Sequence, residues 1–370
     1  MNKRYALVTG TRPQIIKSVP ILKATKQTAD IELIHIFTGQ HKDANLVDVF
    51  FKGLVVDPPD YNLDVSYGST DYHISTIIQR ITPILKRSEF EGVLVPGDTN
   101  SALAAGLSAM FLYIPVLHVE SGLRSYDFRM PEELNRRLID HGSSSLFSPT
   151  ETAVNNLKKE NILGKIIISG DTMYDLLLSE KKQIFDSTLF DKSANTFGIN
   201  KNSFSVLTMH RRENLNNPMR LHNIFEAIGA MKFTTVFPMH PHTRKVIVSA
   251  NIAIPSNIKL IEPLPYHEFL NLVAHSNLVL TDSGGLQKEA YLLNVPCVTL
   301  RTSSEWVETL EQRANVLVGT NSQLIRKAID EMYNKKIKTD SSVYGDGNAA
   351  SKIVTELLEF QPQIPTVPEI

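Results

Sequence analysis

The chain has 370 residues, 42% hydrophobic and 21% charged, as is typical of a globular protein large enough for two domains. Its 38 lysine and arginine residues balance 39 acidic ones, and the net charge of -1 argues against binding to nucleic acid or a membrane surface. No apolar run reaches the roughly 18 residues of a membrane span, and no signal peptide is recognisable. The single cysteine, Cys297, lies in an apolar run and indicates a buried thiol, so we expect a cytoplasmic protein.

The first predicted strand, residues 4–8, leads into a turn and a helix that carry Arg12 and Lys17. Pro13 suits the first turn of that helix, where a backbone N–H has no helical partner to lose. Two cations beside a helix N-terminus favour an anion such as phosphate, and a solvated basic pair is the simpler alternative. The sequence contains neither the three-glycine dinucleotide pattern nor a P-loop at this turn.

Two later strands of the first half end in carboxylates. Asp98 follows residues 92–95 and Glu120 follows residues 114–119, so both stand where open α/β sheets bind ligands. Asp98 could instead cap the helix predicted over residues 101–111.

A further helix is predicted to begin at Pro131, and it carries Glu132 and Arg136 four residues apart. A structural ion pair between these two side chains, together with the helix dipole, explains their charges without any chemistry.

A second alternation of strands and helices follows residues 186–201, which we interpret as a linker. Its predicted strands cover residues 205–209, 234–239, 259–261, 277–280, 298–300 and 315–318. We therefore predict an α/β chain of two Rossmann-like domains, residues 1–170 and 171–348. The last helix, within residues 349–370, is expected to return to the first domain.

The turn Ser283-Gly284-Gly285 joins an apolar strand to a helix in the second domain. This geometry points backbone N–H groups and the helix dipole at one place, which makes an anion site. The glycines would let a phosphate approach the backbone, and Glu289 could bond a ribose diol. The simpler alternative is a turn in which glycine only relieves strain.

The anion-type turns, one in each half, predict a diphosphate held in a cleft between the two domains. Asp98, Glu120, Glu132 and His210 would surround the group that carries the diphosphate. Carboxylates and a histidine without metal-ligand spacing fit acid–base chemistry better than zinc chemistry.

Taken in order, the motifs resemble those of the non-hydrolysing UDP-N-acetylglucosamine 2-epimerases, which have the glycosyltransferase-B fold of two Rossmann-like domains. The resemblance covers nearly the whole chain. The motifs that carry it are residues 10–17, 39–41, 97–99, 118–124, 131–136, 210–211, 240–241 and 281–290.

The resemblance implies inversion at C2 of a UDP-linked 2-acetamido sugar, for cell-surface polysaccharide precursors. In this family UDP is eliminated across C1–C2 to give a 2-acetamidoglycal, and it adds back with a proton delivered to the opposite face. The implied acid–base candidates are Asp98, Glu120, Glu132 and His210, in an order that stays open. No metal or cofactor is implied, the UDP-sugar is the ligand, and a homodimer is expected.

The same resemblance implies a set of substrate-binding residues that clamp the departing diphosphate, hold the ribose and meet the uracil. Glu289 would hold the ribose, the backbone near Glu262 and Pro263 would meet the uracil, and His210 and Arg211 could alternatively neutralise phosphate. The full set is Arg12, Lys17, Arg136, Arg211, His240, Glu262, Pro263, Ser283, Gly284, Gly285, Glu289 and Arg301.

Some positions depart from the family's common motifs. Gln14 and Lys288 stand where glutamate is usual, and residues 304–308 replace Thr-Glu-Arg-Pro-Glu. These variants resemble the branch that epimerises UDP-2,3-diacetamido-2,3-dideoxyglucuronic acid, whose carboxylate Lys288 could meet unless it is simply solvated. Gln40 and His41 match the family's allosteric UDP-GlcNAc site, whereas residues 69–73 do not.

Three other functions fit the same fold. A glycosyltransferase would move the sugar to an acceptor, a hydrolysing epimerase would release UDP and the free sugar, and a sensor would bind without chemistry. The carboxylates expected around the sugar argue against the transferase.

Overall fold

A computed structural model describes residues 2–39, 56–65 and 68–361. The chain divides into two compact units, Met1–Leu178 with Ser342–Ile370, and Ser179–Ser341. The predicted allosteric residues Gln40 and His41 lie outside the described residues.

A parallel sheet of seven strands forms the centre of the first unit, in the order β3-β2-β1-β4-β5-β6-β7. Alternate residues of β4 enter apolar clusters on opposite faces of the sheet: Val93 and Val95 in one, Leu94 in the other. Because both faces are covered, the strands are apolar throughout. The strands are β1 Lys3–Thr9, β2 Ile31–Phe37, β3 Tyr61–Asn62, β4 Gly92–Pro96, β5 Val116–Val119, β6 Ser145–Ser148 and β7 Lys165–Ile168.

The helices between these strands begin at residues suited to helix N-termini. Thr11 and Gln14 form a capping box at α1, with Pro13 in its first turn. The side chain of Thr99 caps α3. The helices are α1 Arg12–Thr25, α2 Thr70–Arg87, α3 Asn100–Phe111, α4 Pro131–Gly142, α5 Glu151–Lys159 and α6 Thr172–Ser179.

The second unit is built on a parallel sheet of six strands in the order β10-β9-β8-β11-β12-β13. The strands are β8 Phe204–Thr208, β9 Thr234–Pro238, β10 Ile258–Ile261, β11 Leu278–Thr281, β12 Cys297–Thr299 and β13 Asn315–Leu317. The helices are α7 Lys181–Ile184, α8 Ser187–Phe197, α9 Arg212–Leu215, α10 Pro218–Gly229, α11 Pro241–Ser249, α12 Tyr266–Ala274, α13 Gly284–Leu292, α14 Val307–Glu311 and α15 Ser322–Met332. The predicted α/β class, with a parallel sheet in each half, is confirmed.

The linker predicted over residues 186–201 is wrong, because α8 occupies most of it. Asp186 caps this helix by accepting a hydrogen bond from the backbone of Thr188, and Gly198 ends it in a left-handed conformation. Phe190 is buried and stacks on His275, 4.4 Å between ring centres. Only Phe190 and Ser193 of α8 are buried, so few apolar positions in its sequence mark it as a packed helix.

The chain returns to the first unit in its last helix, α16 Ala349–Glu359. Ile353 and Leu357 pack in the apolar cluster that contains Leu117 and Phe147. The Tyr5 hydroxyl donates a hydrogen bond to the Leu357 carbonyl at 2.8 Å. None of the helices in the described part of the chain has the length and apolar character needed to cross a membrane.

Candidate active site

The carboxyl ends of β1, β4 and β5 lie side by side, because β4 pairs with both of the other strands. Arg12 and Lys17 follow β1, Asp98 follows β4, and Glu120 follows β5. The first sheet therefore brings its predicted anion-binding turn and two predicted acid–base residues to one edge, where parallel sheets bind ligands.

Lys17 and Glu120 form an ion pair that is largely buried, with side chains 13% and 7% exposed. Burial by itself lowers the pKa of Lys17, but the charges of Glu120 and Asp98 more than offset this and raise the pKa above its ordinary value. Lys17 is therefore a cation. Glu120 adopts a φ of 68°, a conformation that is costly for a residue with a side chain and is concentrated at functional positions.

Asp98 is paired with the buried guanidinium of Arg136. The amide of Asn135 donates to the backbone carbonyl of Asp98 at 3.0 Å. The capping role considered for Asp98 is wrong, because Thr99 is the N-cap residue and accepts from the backbone of Ala102 at 3.2 Å. The carboxylate of Asp98 thus faces a charged partner at the strand end.

Glu133, in the first turn of α4, is fully buried. Its carboxylate accepts from Arg137 at 2.9 Å and from the Ser125 backbone at 2.8 Å, and it lies 3.5 Å from Arg136. These bonds fix α4 to the loop before it. Glu132 is partly exposed, and its proposed chemical role stays a prediction.

Gln14 is buried and ties two strand ends together. Its side-chain oxygen accepts from the backbone of Gly10 at 2.9 Å and of Thr11 at 3.2 Å, and its nitrogen donates to the Pro96 carbonyl at 2.8 Å. An ionised glutamate could accept the first two bonds but could not donate the third. The departure from the family motif at this position therefore adds a link between β1 and β4.

In the second unit, Asp282 follows β11 and is wholly buried. Its carboxylate accepts hydrogen bonds from the backbones of His210 and Arg211 and from the Asn214 amide, each at 3.1 Å. The Arg211 guanidinium donates back to the Asp282 carbonyl at 3.0 Å. Sequence reasoning gave no role to Asp282; the signal was an acid directly before Ser283, at a strand end.

The side chain of His210 is 58% exposed, and its Nδ1 lies 3.7 Å from the Asp282 carboxylate. Asp282 therefore orients the segment that carries the predicted residues His210 and Arg211 through their backbone N–H groups, and leaves the imidazole accessible.

Ser283 is the N-cap residue of α13, and its hydroxyl accepts from the backbone of Leu286. Gly284 follows at the helix start, where an added Cβ would lie 2.1 Å from a Glu305 carboxylate oxygen. Gly284 has no left-handed φ, so strain relief does not account for glycine at this position, where a Cβ would displace the Glu305 carboxylate. The buried carboxylate of Glu289 lies one turn further along.

Lys288 is wholly buried, and its ammonium lies 4.1 Å from the centre of the Trp306 ring. The expectation that it is solvated is wrong, and its burial gives no support to a direct contact with a substrate carboxylate. Arg301 is also buried and pairs with Glu305 at 2.8 Å. Its proposed contact with substrate stays a prediction.

His240 and Glu262 follow β9 and β10, which pair with each other in the second sheet. Both side chains are exposed, and Glu262 accepts from Arg244 at 2.9 Å. His240, Glu262 and Pro263 thus lie on one edge of the sheet, the same edge as Ser283.

Cys297 is buried, as predicted, and burial raises the pKa of its thiol to about 12, which makes it unreactive. In the described ranges, no three His, Cys, Asp or Glu side chains are arranged to hold a metal ion.

Known proteins match this chain along nearly its whole length. The family model described as UDP-N-acetylglucosamine 2-epimerase matches residues 23–358. The UDP-N-acetylglucosamine 2-epimerase of Methanocaldococcus jannaschii is 42% identical over 370 residues, covering 95% of this chain and 98% of that protein. The UDP-2,3-diacetamido-2,3-dideoxy-D-glucuronate 2-epimerase of Pseudomonas aeruginosa is 39% identical over 362 residues, covering 95% of this chain and 99% of its own length.

The fold is likewise similar to solved structures. The crystal structure of the Methanocaldococcus jannaschii UDP-GlcNAc 2-epimerase in complex with UDP-GlcNAc and UDP superposes with a TM-score of 0.90 at 40% identity, covering 96% of this chain and 100% of that one. The family model, the relatives and the solved structure thus agree on the family and on the fold. The chain belongs to the UDP-N-acetylglucosamine 2-epimerase family.

Proposed function

We propose that this enzyme is an isomerase that interconverts the C2 epimers of a UDP-linked 2-acetamido sugar without net hydrolysis. The observation that carries the proposal is the buried Lys17–Glu120 pair beside Asp98 at the carboxyl edge of the first sheet. Epimerisation needs groups that move a proton at carbon and a cation for the departing diphosphate, and both occur there.

In the proposed reaction, the C1–O bond to UDP breaks as a base removes the C2 proton, which gives a 2-acetamidoglycal and UDP. UDP then re-forms the bond at C1, and a proton is delivered to the opposite face of C2. Asp98, Glu120, Glu132 and His210 are the proposed proton-handling groups. Lys17 compensates the negative charge that develops on the leaving diphosphate.

The second unit is proposed to hold the UDP moiety. The start of α13 at Ser283-Gly284-Gly285 offers backbone N–H groups to phosphate, and Glu289 bonds the ribose. The backbone near Glu262 and Pro263 meets the uracil. His210 and Arg211, both oriented by Asp282, are available to the phosphates.

Two UDP-sugars are proposed as substrates. Two relatives have similar sequence identities to this chain, and one is named for UDP-N-acetylglucosamine, the other for the 2,3-diacetamido-glucuronate. Proton NMR in deuterated water, with each UDP-sugar alone, tests the function. We expect deuterium at C2 of both epimers and no accumulation of UDP. Accumulating UDP would indicate a hydrolysing enzyme, and binding without deuterium exchange would indicate a sensor or a transferase awaiting its acceptor.

We propose further that the enzyme is a cytoplasmic homodimer that supplies cell-surface polysaccharide precursors. Leu134 and Leu138 are about half exposed on α4, which packs on α3, where Phe111 is 76% exposed. Such a surface is typical of an interface between copies. Light scattering should show that Leu138→Glu lowers the mass to one chain, whereas Leu163→Glu, at another exposed leucine, does not; a dimer in both variants contradicts this surface.

A further inference from the structure

His118, in β5, is wholly buried and uses both ring nitrogens. Nδ1 lies 2.6 Å from an Asp140 carboxylate oxygen, and Nε2 lies 2.9 Å from the Gly97 carbonyl oxygen. A carbonyl and an ionised carboxylate can only accept hydrogen bonds. Nε2 therefore donates to the Gly97 carbonyl, and Nδ1 faces the Asp140 carboxylate.

Asp140 anchors this histidine. Its other carboxylate oxygen accepts from Arg124 at 2.7 Å and from the backbone of Gly122 at 3.2 Å. Burial by itself raises the pKa of Asp140, but His118 and Arg124 outweigh burial and hold the pKa below its ordinary value. Asp140 is therefore ionised, and its bonds fix the plane of the His118 ring.

The carbonyl oxygen of Gly97 accepts the hydrogen bond from His118 Nε2. Gly97 lies next to the Lys17–Glu120 ion pair. A Cβ on Gly97 would lie 3.2 Å from Lys17 Nζ and 3.6 Å from Glu120 Oε2. The carbonyl that His118 holds belongs to the peptide between Gly97 and Asp98. The orientation of this peptide decides where the Asp98 side chain begins.

Asp140 is also linked to Asp98 through a series of ion-paired side chains of alternating charge. Each neighbouring pair in this series is an ion pair, and the pairs from Arg136 to Asp140 are separated by 2.7 to 3.5 Å. The series is Asp98, Arg136, Glu133, Arg137, Glu160, Arg124 and Asp140. The peptide and the side chain of Asp98 are therefore both tied to Asp140.

We propose that His118 is a positioning residue for C2 epimerisation, which orients the Gly97–Asp98 peptide against the Lys17–Glu120 pair through its Nε2–H. Asp140 holds the ring for this purpose. The inference rests on the function proposed above. His118 acts through Gly97, and because a misplacement of about 1 Å at a reacting group can cost about 100-fold in rate, the bond affects turnover.

Two substitutions of His118 each keep one of its two hydrogen bonds and remove the other. His118→Asn keeps an amide nitrogen near the position of Nδ1, so it can still donate to Asp140 but not to Gly97. His118→Gln places its amide nitrogen near the position of Nε2, so it can donate to Gly97 but not to Asp140. Both variants lose the ring, so each serves as the stability control for the other.

We expect kcat to fall about 100-fold in His118→Asn and only about 5-fold in His118→Gln, with KM for the UDP-sugar within about 3-fold of wild type in both. Thermal unfolding of both variants is recorded alongside. Equal losses of kcat, or losses that follow the unfolding midpoint, would show a merely structural histidine and overturn the proposal.

NMR of the ring nitrogens tests the same bond in the unaltered protein, with ¹⁵N-labelled histidine and His118 assigned from its absence in the variants. We expect a proton on Nε2, held in the hydrogen bond to the Gly97 carbonyl. An unprotonated Nε2 would overturn the inference. A wild-type enzyme that exchanges no C2 proton would instead refute the proposed function, and the NMR result would still decide whether His118 donates to Gly97.

Discussion

Lys288 holds its ammonium nitrogen 4.1 Å from the centre of the Trp306 ring, and both side chains are buried. Lys288 stands where the family commonly has glutamate, and Trp306 where it commonly has arginine. The two departures touch each other, so they form one structural change, in which a cation–π contact takes the place of two opposite charges. This contact lies beside Gly284, whose Cβ position is 3.7 Å from Trp306 Nε1.

A double-mutant cycle tests this contact. Trp306→Ala leaves a cavity and a buried ammonium without its ring, so we expect the free energy of unfolding to fall by about 3–5 kcal/mol. Adding Lys288→Met to Trp306→Ala should recover about 1–2 kcal/mol, because the buried ammonium that has lost its contact with the ring is also removed. Urea denaturation of the four proteins measures the coupling, and purely additive effects contradict it.

Gln14→Glu should destabilise the first unit. The substitution removes the donor to the Pro96 carbonyl and buries a carboxylate, which we expect to cost about 1–3 kcal/mol at neutral pH. The loss should shrink in acid, because a protonated glutamate regains a donor. Gln27→Glu, at an exposed position near the end of α1, is the matched control. Unchanged stability of Gln14→Glu across pH would contradict the bridging role.

Asp98→Asn, Glu120→Gln and His210→Asn should each abolish most deuterium incorporation at C2, because each removes a proposed proton-handling group. General acid–base groups commonly contribute about 100- to 10,000-fold in rate. Glu32→Gln, at a partly exposed acid in β2, should keep wild-type exchange. Full activity in all three site variants, measured by the same NMR assay, would overturn the assigned site.

Because His35 is buried, we expect the protein to lose stability in mild acid. Burial lowers the pKa of this β2 histidine to about 4, below the value of about 6.5 expected in the unfolded chain. The contribution of neutral His35 to the free energy of unfolding is complete above pH 6.5. It is lost as the pH falls towards 4, because in this range only the unfolded chain takes up the proton. The shift corresponds to about 3 kcal/mol.

The check for His35 is the free energy of unfolding at several pH values between about 6.5 and 4. His35→Gln should lose less stability over this window than wild type. His222→Gln, at an exposed histidine, should follow the wild-type curve. Parallel curves for His35→Gln and wild type would show that His35 titrates normally.

The features that the sequence does not predict correctly depend on contacts between elements far apart in the chain. The helix Ser187–Phe197 resembles a linker in sequence because few of its residues are buried, and Phe190 has its partners in other elements. A contact with a substrate carboxylate and exposure to solvent were the two interpretations of Lys288, and only the packing of Trp306 shows that the side chain is buried instead. Asp282 was passed over because its three donors come from a segment about seventy residues away.

The ordered motifs of the sequence carried its resemblance to the family. The sequence by itself also determined the two α/β alternations and the strand-end positions of Asp98, Glu120 and Ser283. These features depend on periodicity and on turns of a few residues, which are local properties of the chain. Only the tertiary structure decided the partners: Lys17 with Glu120, Arg136 with Asp98, and His118 with Gly97 and Asp140. These pairs join residues between 21 and 103 positions apart in the sequence. Parallel strand pairing brings the elements that carry them together, and no local pattern specifies that pairing.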